Sequence, residues 1–240
     1  MGTSRLADDI SILEAVSSAS IACGFHAGDA TSMRETVRAA NARGVAIGAH
    51  VSYPDIPGFG RRELGLRPGE IARHVRAQLV SLSKVCVAEN ARVRYVKPHG
   101  ALYNRAASDA EAAAAVARAI SDTAPELTLL GLAQSEMARA AANAGIRFAS
   151  EAFVDRAYSA QLTLVPRDLP GALIENIEEA VKRAIVLAQT RMMVTIEGTP
   201  LPLEAESLCV HGDTPSAIGL VRALRAALES SGTRVAPFAA

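Results

Sequence analysis

Apolar residues along this chain fall into two patterns that alternate from one end to the other. Short apolar runs bounded by Gly, Pro or charged residues recur at 20–26, 45–50, 93–99, 127–132, 147–153, 192–197 and 207–211, and such runs predict buried strands. Between most of them lie longer segments with apolar positions at helical spacing, several carrying start and stop signals. Ser32-Met33-Arg34-Glu35 reads as a capping box, with Gly44 as the stop. Pro68 opens an amphipathic segment that runs to about Glu89, Ser108 with Glu111 repeats the capping box, and the Ala-rich stretch 110–117 is helical. A further helix begins near Ser135 and ends before Gly145, and Thr214-Pro215 is an N-cap followed by Pro at the first helical position. Strand, loop and helix in alternation predict a parallel sheet with right-handed crossovers. Seven strand signals fit a single (β/α) barrel of about seven strands, spanning 1–240, better than a doubly wound sheet, and no GxGxxG follows any strand. Around 192–211 the pattern changes, and Thr195-Ile196-Glu197-Gly198-Thr199-Pro200-Leu201 reads as a hairpin-like excursion before the last strand.

Composition narrows the function classes. The chain has 240 residues, half of them hydrophobic, which is enough for one barrel with a large core. Its formal net charge is zero, and no basic stripe or polybasic segment points to nucleic acid or a membrane surface as a partner. The apolar stretches are too short to span a bilayer, and Met1-Gly2-Thr3-Ser4-Arg5-Leu6 lacks an apolar signal core, which points to the cytoplasm. Cys23, Cys86 and Cys209 are widely spaced and form neither a disulfide framework nor a CxxC zinc pattern; they read as small buried hydrophobes. There is no HExxH, GxSxG or GxxxxGK[ST] motif.

The chemistry gathers at strand ends. His26, His50, His99 and His211 each close a short apolar run and are each followed by a loop. A polar residue repeated at the end of successive βα units is how an α/β barrel assembles a site at one rim, and histidine suits proton transfer or metal binding near neutral pH. Gly24-Phe25-His26-Ala27-Gly28-Asp29 precedes a capped helix, whose N-terminus favours an anion; Asp29 either takes part in that or only shapes the turn. His50-Val51-Ser52-Tyr53-Pro54-Asp55 leads into Gly58-Phe59-Gly60-Arg61-Arg62, a long connection of the kind that binds or covers a ligand. Arg61 and Arg62 can grip a phosphate or carboxylate, and a solvated charge pair is an equal reading for Arg62. Lys97 and His99 lie two apart on one strand and so face one side, and an inward Lys is costly unless an anion meets it; Tyr103 and Asn104 follow directly. Glu151 lies inside an apolar strand, where it needs a cationic partner or a raised pKa, and Asp155 and Arg156 fall at that strand's end. His211-Gly212-Asp213 repeats the layout of His26 to Asp29.

Taken together, these segments resemble the LamB/YcsF family. The matching stretches are Ser18 to Asp29, Gly58-Phe59-Gly60-Arg61-Arg62, Val96-Lys97-Pro98-His99-Gly100, Glu151 to Arg156, and Cys209 to Pro215. They run in the family's order along nearly the whole chain. The resemblance implies a β/α barrel similar to the glycoside hydrolase and sugar deacetylase barrels. It also implies an ATP-hydrolysing 5-oxoprolinase, opening the lactam of 5-oxo-L-proline to L-glutamate together with two partner subunits, B and C. ATP, with Mg2+, is then a cosubstrate. Three departures stand out. The family's opening strand, which resembles Asp-Leu-Asn-x-Asp-x-Gly-Glu, is replaced by Met1 to Ala7 with none of those acidic residues, so the first strand is expected to be missing or truncated. Val51 stands where the family usually has Pro, and Gln161-Leu162 where it tends to have Asp-Gly.

On this reading His26, Lys97, His99, Glu151, Asp155 and Arg156 are the expected catalytic residues, with His99 and His26 moving protons and Lys97 and Arg156 neutralising charge on an activated oxygen or phosphate. Asp29, His50, Tyr53, Arg61, Tyr103, Asn104, His211 and Asp213 are the expected substrate or phosphate contacts. Two other readings remain open. One is a metal-dependent amidohydrolase or deacetylase with His26, His50 and His211 as ligands; the other is a non-catalytic substrate-binding or scaffold protein.

Overall fold

The computed structural model describes residues 6–212 and 216–239. The chain divides into two compact units, Met1–Ala149 with Pro237–Ala240, and Ser150–Ala236.

The first unit opens with helix α1 (Leu6–Ile12) and then alternates β1 (Ser18–Ala22), α2 (Ala30–Ala42), β2 (Ala46–Val51), α3 (Pro68–Ala88), β3 (Val93–Pro98), α4 (Gly100–Ser108), α5 (Ala110–Thr123), β4 (Thr128–Leu132) and α6 (Glu136–Asn143). The strands pair in parallel and in chain order, β1 with β2, β2 with β3 and β3 with β4. No strand precedes β1 among the described residues. The apolar runs explain the sheet: β4 is buried at every position, as expected of strands covered on both faces. The helices show the stripe that the sequence predicts. In α3 the buried positions are Ile71, Val75, Gln78, Leu79, Leu82 and Cys86, a single face at helical spacing, and α3 packs on the Ala-rich α5. Cys23 and Cys86 are buried as expected, whereas Cys209 is half-buried.

Two capping residues differ from expectation. The box before α2 is built by Asp29, whose carboxylate accepts from the Ser32 N–H at 2.7 Å while Ser32 Oγ accepts from the Asp29 N–H at 2.8 Å. At α5 Asp109, not Ser108, is the cap, accepting from the N–H groups of Glu111 and Ala112 at 2.9 and 3.2 Å. In both places a nearby carboxylate meets the helix N-terminal N–H groups more favourably than a neutral hydroxyl does.

β5 (Phe148–Phe153) closes the first unit and runs into the second, where it pairs in parallel with β8 (Ser207–Cys209). Between them lie α7 (Ile177–Thr190) and the antiparallel pair β6 (Met192–Val194) and β7 (Pro200–Pro202). The apolar run at 192–197 is therefore one arm of a hairpin and not a strand of the parallel sheet; Gly198, at φ 84°, sits in the turn. The helix α8 (Ala217–Ser230) follows, with Leu224 and Leu228 packed against Val154 and Ala184. The Thr214-Pro215 cap lies outside the described residues. In the loop after β5, Leu162 takes a left-handed conformation at φ 57°. No helix of the described residues is long and apolar enough to cross a membrane.

Candidate active site

In the first unit the ends of three neighbouring strands bring three histidines together. Parallel register aligns Ala22 with His50 and His50 with Lys97, so the loop after β1, the end of β2 and the end of β3 open at one level. His26 lies in the first of these, His50 on β2, and His99 is the residue that starts α4. The His50 and His99 rings meet edge to face, with His99 Nδ1 3.0 Å from His50 Nε2. His26 stacks on His99 at 4.0 Å with the ring planes 12° apart.

Each ring is held from behind. His50 Nδ1 lies 3.1 Å from the Lys97 carbonyl, His99 Nε2 2.9 Å from the Phe59 carbonyl, and His26 Nδ1 2.8 Å from Ser52 Oγ. Ser52 is itself fixed: its hydroxyl donates to the Tyr53 carbonyl at 2.9 Å, and the Gln78 side chain clamps its backbone, accepting from the N–H and donating to the C=O, each at 2.9 Å. The Gly58 to Arg62 segment folds over the histidines and can do so because Gly60 has no side chain. At φ 66°, a Cβ there would lie 2.9 Å from His26 Cβ and 3.0 Å from His99 Cδ2. Buried Asp55 ties the loop shut, its carboxylate accepting from the Gly58 N–H at 3.0 Å and from the Arg62 guanidinium. That pairing holds Asp55 below the usual carboxylate range. Arg62 is thus a structural residue of the loop. Arg61 is exposed, its guanidinium 5.1 Å from the Phe59 ring centroid.

Burial and mutual repulsion keep these histidines neutral. Burial, then the nearby His99, pushes His26 down to about 2. Burial, then Arg61 and Lys97, pushes His99 down to about 4 against the raising effect of the Phe59 carbonyl. His50, partly buried, is pushed well below its ordinary value by desolvation and then by His99, His26 and Lys97. The cluster therefore offers lone pairs rather than protons at neutral pH. Lys97 is buried, with Nζ 5.8 Å from the Tyr103 ring centroid.

The other expected contacts of this unit divide. Tyr53 is buried and donates to Glu63 Oε2 at 3.3 Å; burial raises its pKa. Tyr103 is buried beside Lys97, whereas Asn104 is exposed on α4. Asp29 is exposed and caps α2, with Ser32 lowering its pKa.

The second unit carries a different arrangement. Asp155, at the end of β5, accepts through Oδ2 from the His211 N–H at 3.0 Å and lies 2.7 Å from His211 Nδ1. Burial works to raise Asp155, but the His211 side-chain hydrogen bond, charge and backbone N–H outweigh it and leave Asp155 lowered. His211 also stacks on Phe153 at 5.4 Å. A carboxylate on one ring nitrogen fixes the tautomer and leaves the other nitrogen for proton transfer. Glu151 is fully buried on β5, where its charge helps burial to raise Tyr158, whose hydroxyl accepts from the Phe153 N–H at 2.8 Å. Arg156 is buried and donates to the carbonyls of Val165 and Ala172 at 2.6 and 3.4 Å, holding the 155–174 loop. Asp213 lies outside the described residues.

Among the described residues, a trio whose ligand atoms lie within 4.8 Å of one another is His26, His50 and His99, which shares His26 and His50 with the metal set expected from the sequence; His211, in the second unit, has Asp155 as a partner. Sequence reasoning misses Gln78 and Ser52. Gln78 has a signal, being the one polar residue in the buried stripe of α3.

A parallel α/β fold with histidines at successive strand ends and a glycine-rich loop folded over them defines a class of barrel-related enzymes and binding proteins. Within that class, the chain belongs to the LamB/YcsF family, whose model matches residues 1–240. It is 48% identical over 234 residues to the 5-oxoprolinase A subunit of Chloroflexus aggregans, covering 98% of this chain and 93% of the relative. It is 47% identical over 238 residues to the 5-oxoprolinase A subunit of Streptomyces griseus, covering 99% and 95%. The crystal structure of the lactam utilization protein from Thermus thermophilus superposes with a TM-score of 0.91 at 42% identity, covering 96% of this chain and 92% of that one. Both the family and the α/β fold expected from the motifs are borne out.

Proposed function

We propose that this chain is the A subunit of an ATP-dependent 5-oxoprolinase that opens 5-oxo-L-proline to L-glutamate in the cytoplasm, acting with subunits B and C. The observation that carries this reading is the similarity to proteins of that name over nearly the full length of both partners, at 47–48% identity. A five-membered lactam resists hydrolysis, and coupling to ATP supplies the driving force. Transfer of the γ-phosphoryl group to the lactam oxygen releases ADP and makes the ring carbon electrophilic. Water adds to that carbon and loses a proton, the C–N bond breaks with the nitrogen taking a proton, and a second water cleaves the resulting acyl phosphate to carboxylate and phosphate. ATP, with Mg2+, is the cosubstrate.

The chain's own residues divide that work as follows. Lys97, buried beside Tyr103, meets the negative charge that develops on the activated oxygen. The lone pairs of His26, His50 and His99 receive and orient the attacking water. Asp155 and His211 form a proton-carrying pair, and Arg61 holds a phosphate. Since Arg156 is bonded to loop carbonyls, its contribution is to position Asp155. The test is reconstitution with candidate B and C subunits and simultaneous measurement of 5-oxoproline loss, glutamate formation and ADP release. Equimolar, ATP-dependent conversion is expected. Lactam or amide hydrolysis by this chain alone, without ATP, would instead support the metal-dependent amidohydrolase.

A further inference from the structure

We propose that His26, His50 and His99 form a site for a divalent transition metal, zinc by ligand type, with a coordination position left open. The argument rests on which nitrogen carries each proton. A carbonyl oxygen has no proton to give, so His50 Nδ1, facing the Lys97 carbonyl, and His99 Nε2, facing the Phe59 carbonyl, must both be N–H donors. The Ser52 hydroxyl proton is committed to the Tyr53 carbonyl, so Ser52 Oγ receives the proton of His26 Nδ1. All three tautomers are thereby set, and the remaining nitrogens, His26 Nε2, His50 Nε2 and His99 Nδ1, carry lone pairs.

Those lone pairs lie close together, the ligand atoms of the three rings falling within 4.8 Å of one another. His99 Nδ1 and His50 Nε2 are 3.0 Å apart, a hydrogen-bond distance with no proton belonging to either atom. Two lone pairs so placed repel each other unless something positive lies between or beside them. Three neutral imidazoles, each with its outer nitrogen held by a carbonyl or hydroxyl, are a donor set that zinc takes in catalytic sites, with water in the fourth position. Tetrahedral zinc with Zn–N bonds of about 2.0–2.1 Å needs ligand atoms roughly 3.3–3.4 Å apart. The His50–His99 pair is already near that spacing. His26, stacked on His99, has its ligand atom within 4.8 Å of the other two and joins by a small shift of its ring that keeps the hydrogen bond to Ser52. With no carboxylate among the ligands the ion keeps its full double charge, which suits it to lowering the pKa of a bound water. This inference does not depend on the lactam reading, because it concerns what the three rings bind and not what is hydrolysed.

The experiment is titration of the chelator-stripped full-length chain with Zn2+ and, separately, with Co2+. Metal retained after gel filtration is measured by mass spectrometry and the Co2+ site by its visible absorption. A single equivalent per chain is expected, with the intense visible bands of a four- or five-coordinate cobalt site. Both should disappear in His50→Ala and in His99→Ala. Ser52→Ala, which leaves every ligand in place but frees the His26 tautomer, should weaken binding roughly 10–100-fold without changing the saturating stoichiometry. A folded wild-type chain that retains no stoichiometric metal overturns the proposal and leaves a shared proton as the occupant. So does binding that survives intact in both histidine variants. Metal binding without ATP-coupled turnover in the reconstituted complex would sink the functional reading alone.

Discussion

Gly60→Ala tests the packing of the loop on the histidines. Gly60 sits at φ 66°, and an added Cβ would lie 2.9 Å from His26 Cβ, 3.0 Å from His99 Cδ2 and 3.3 Å from Ser52 Cβ. Two costs follow. The left-handed conformation costs an alanine about 1–2 kcal/mol, and forcing a methyl into a packed site costs about 1–3 kcal/mol more. Together they amount to roughly 2–5 kcal/mol, which for a chain of this size lowers the thermal midpoint by roughly 4–20 °C. A control separates the two terms. Gly65 has nearly the same backbone, φ 62°, but a Cβ there meets nothing within 4 Å, so Gly65→Ala carries only the backbone cost. Thermal unfolding followed by circular dichroism measures both variants, and the imidazole nitrogen shifts of His26 and His99 report whether the rings are displaced. Gly60→Ala is expected to lose clearly more stability than Gly65→Ala and to shift both histidines. Equal losses in the two variants, with the histidine signals unmoved, would refute the close approach of this loop to the rings.

Three further outcomes can be measured independently. Histidines held at about 2 and about 4 in the folded chain take up protons near 6.5 once unfolded, so their contribution is complete above 6.5 and is lost as pH falls. Each should steepen the pH dependence of stability by about 1.4 kcal/mol per pH unit between 6.5 and its folded value. Denaturant unfolding from pH 8 to 4.5 should show this decline, and a flat profile below 6.5 would mean that the cluster is charged or exposed. Asp155→Asn keeps the shape of the His211 partner but removes its charge, and should slow the reconstituted complex by roughly 10²–10⁴-fold; unchanged turnover would exclude the pair from proton transfer. Lys97→Ala should reduce ATP-dependent glutamate formation by roughly 10²–10³-fold while the chain remains folded, and full activity would remove Lys97 from the mechanism.

Much of this fold is legible in the sequence because burial writes itself into short apolar runs. Strands at 46–51, 93–98, 128–132 and 148–153 fall close to where the apolar runs predict them. The caps are less legible. Ser32 and Ser108 have the spacing of capping residues, but Asp29 and Asp109 lie within a few residues of them, carry charge and take the caps. The run at 192–197 is apolar enough for a parallel strand, and only its pairing with Pro200–Pro202 makes it a hairpin arm.

The candidate site shows the same division between what residue types reveal and what three-dimensional neighbours decide. That four histidines end strands is visible in the chain. Which of them meet is a different matter. His211-Gly212-Asp213 echoes His26 to Asp29, and that likeness points to His211 as the companion of His26 and His50. Topology gives another answer. Successive strands of a parallel α/β sheet tend to lie side by side, and β1, β2 and β3 do so here. Residues at their ends are therefore neighbours whatever motif surrounds them. On that rule His99, at the end of the third strand, is the companion of His26 and His50, and His211, many elements later, pairs with Asp155 instead. Strand order, applied before motif similarity, selects the trio that the structure assembles. The tautomers that make the trio a metal site lie beyond reach of the sequence. They depend on the Phe59 carbonyl being carried back to His99 by a loop that closes only because position 60 has no side chain.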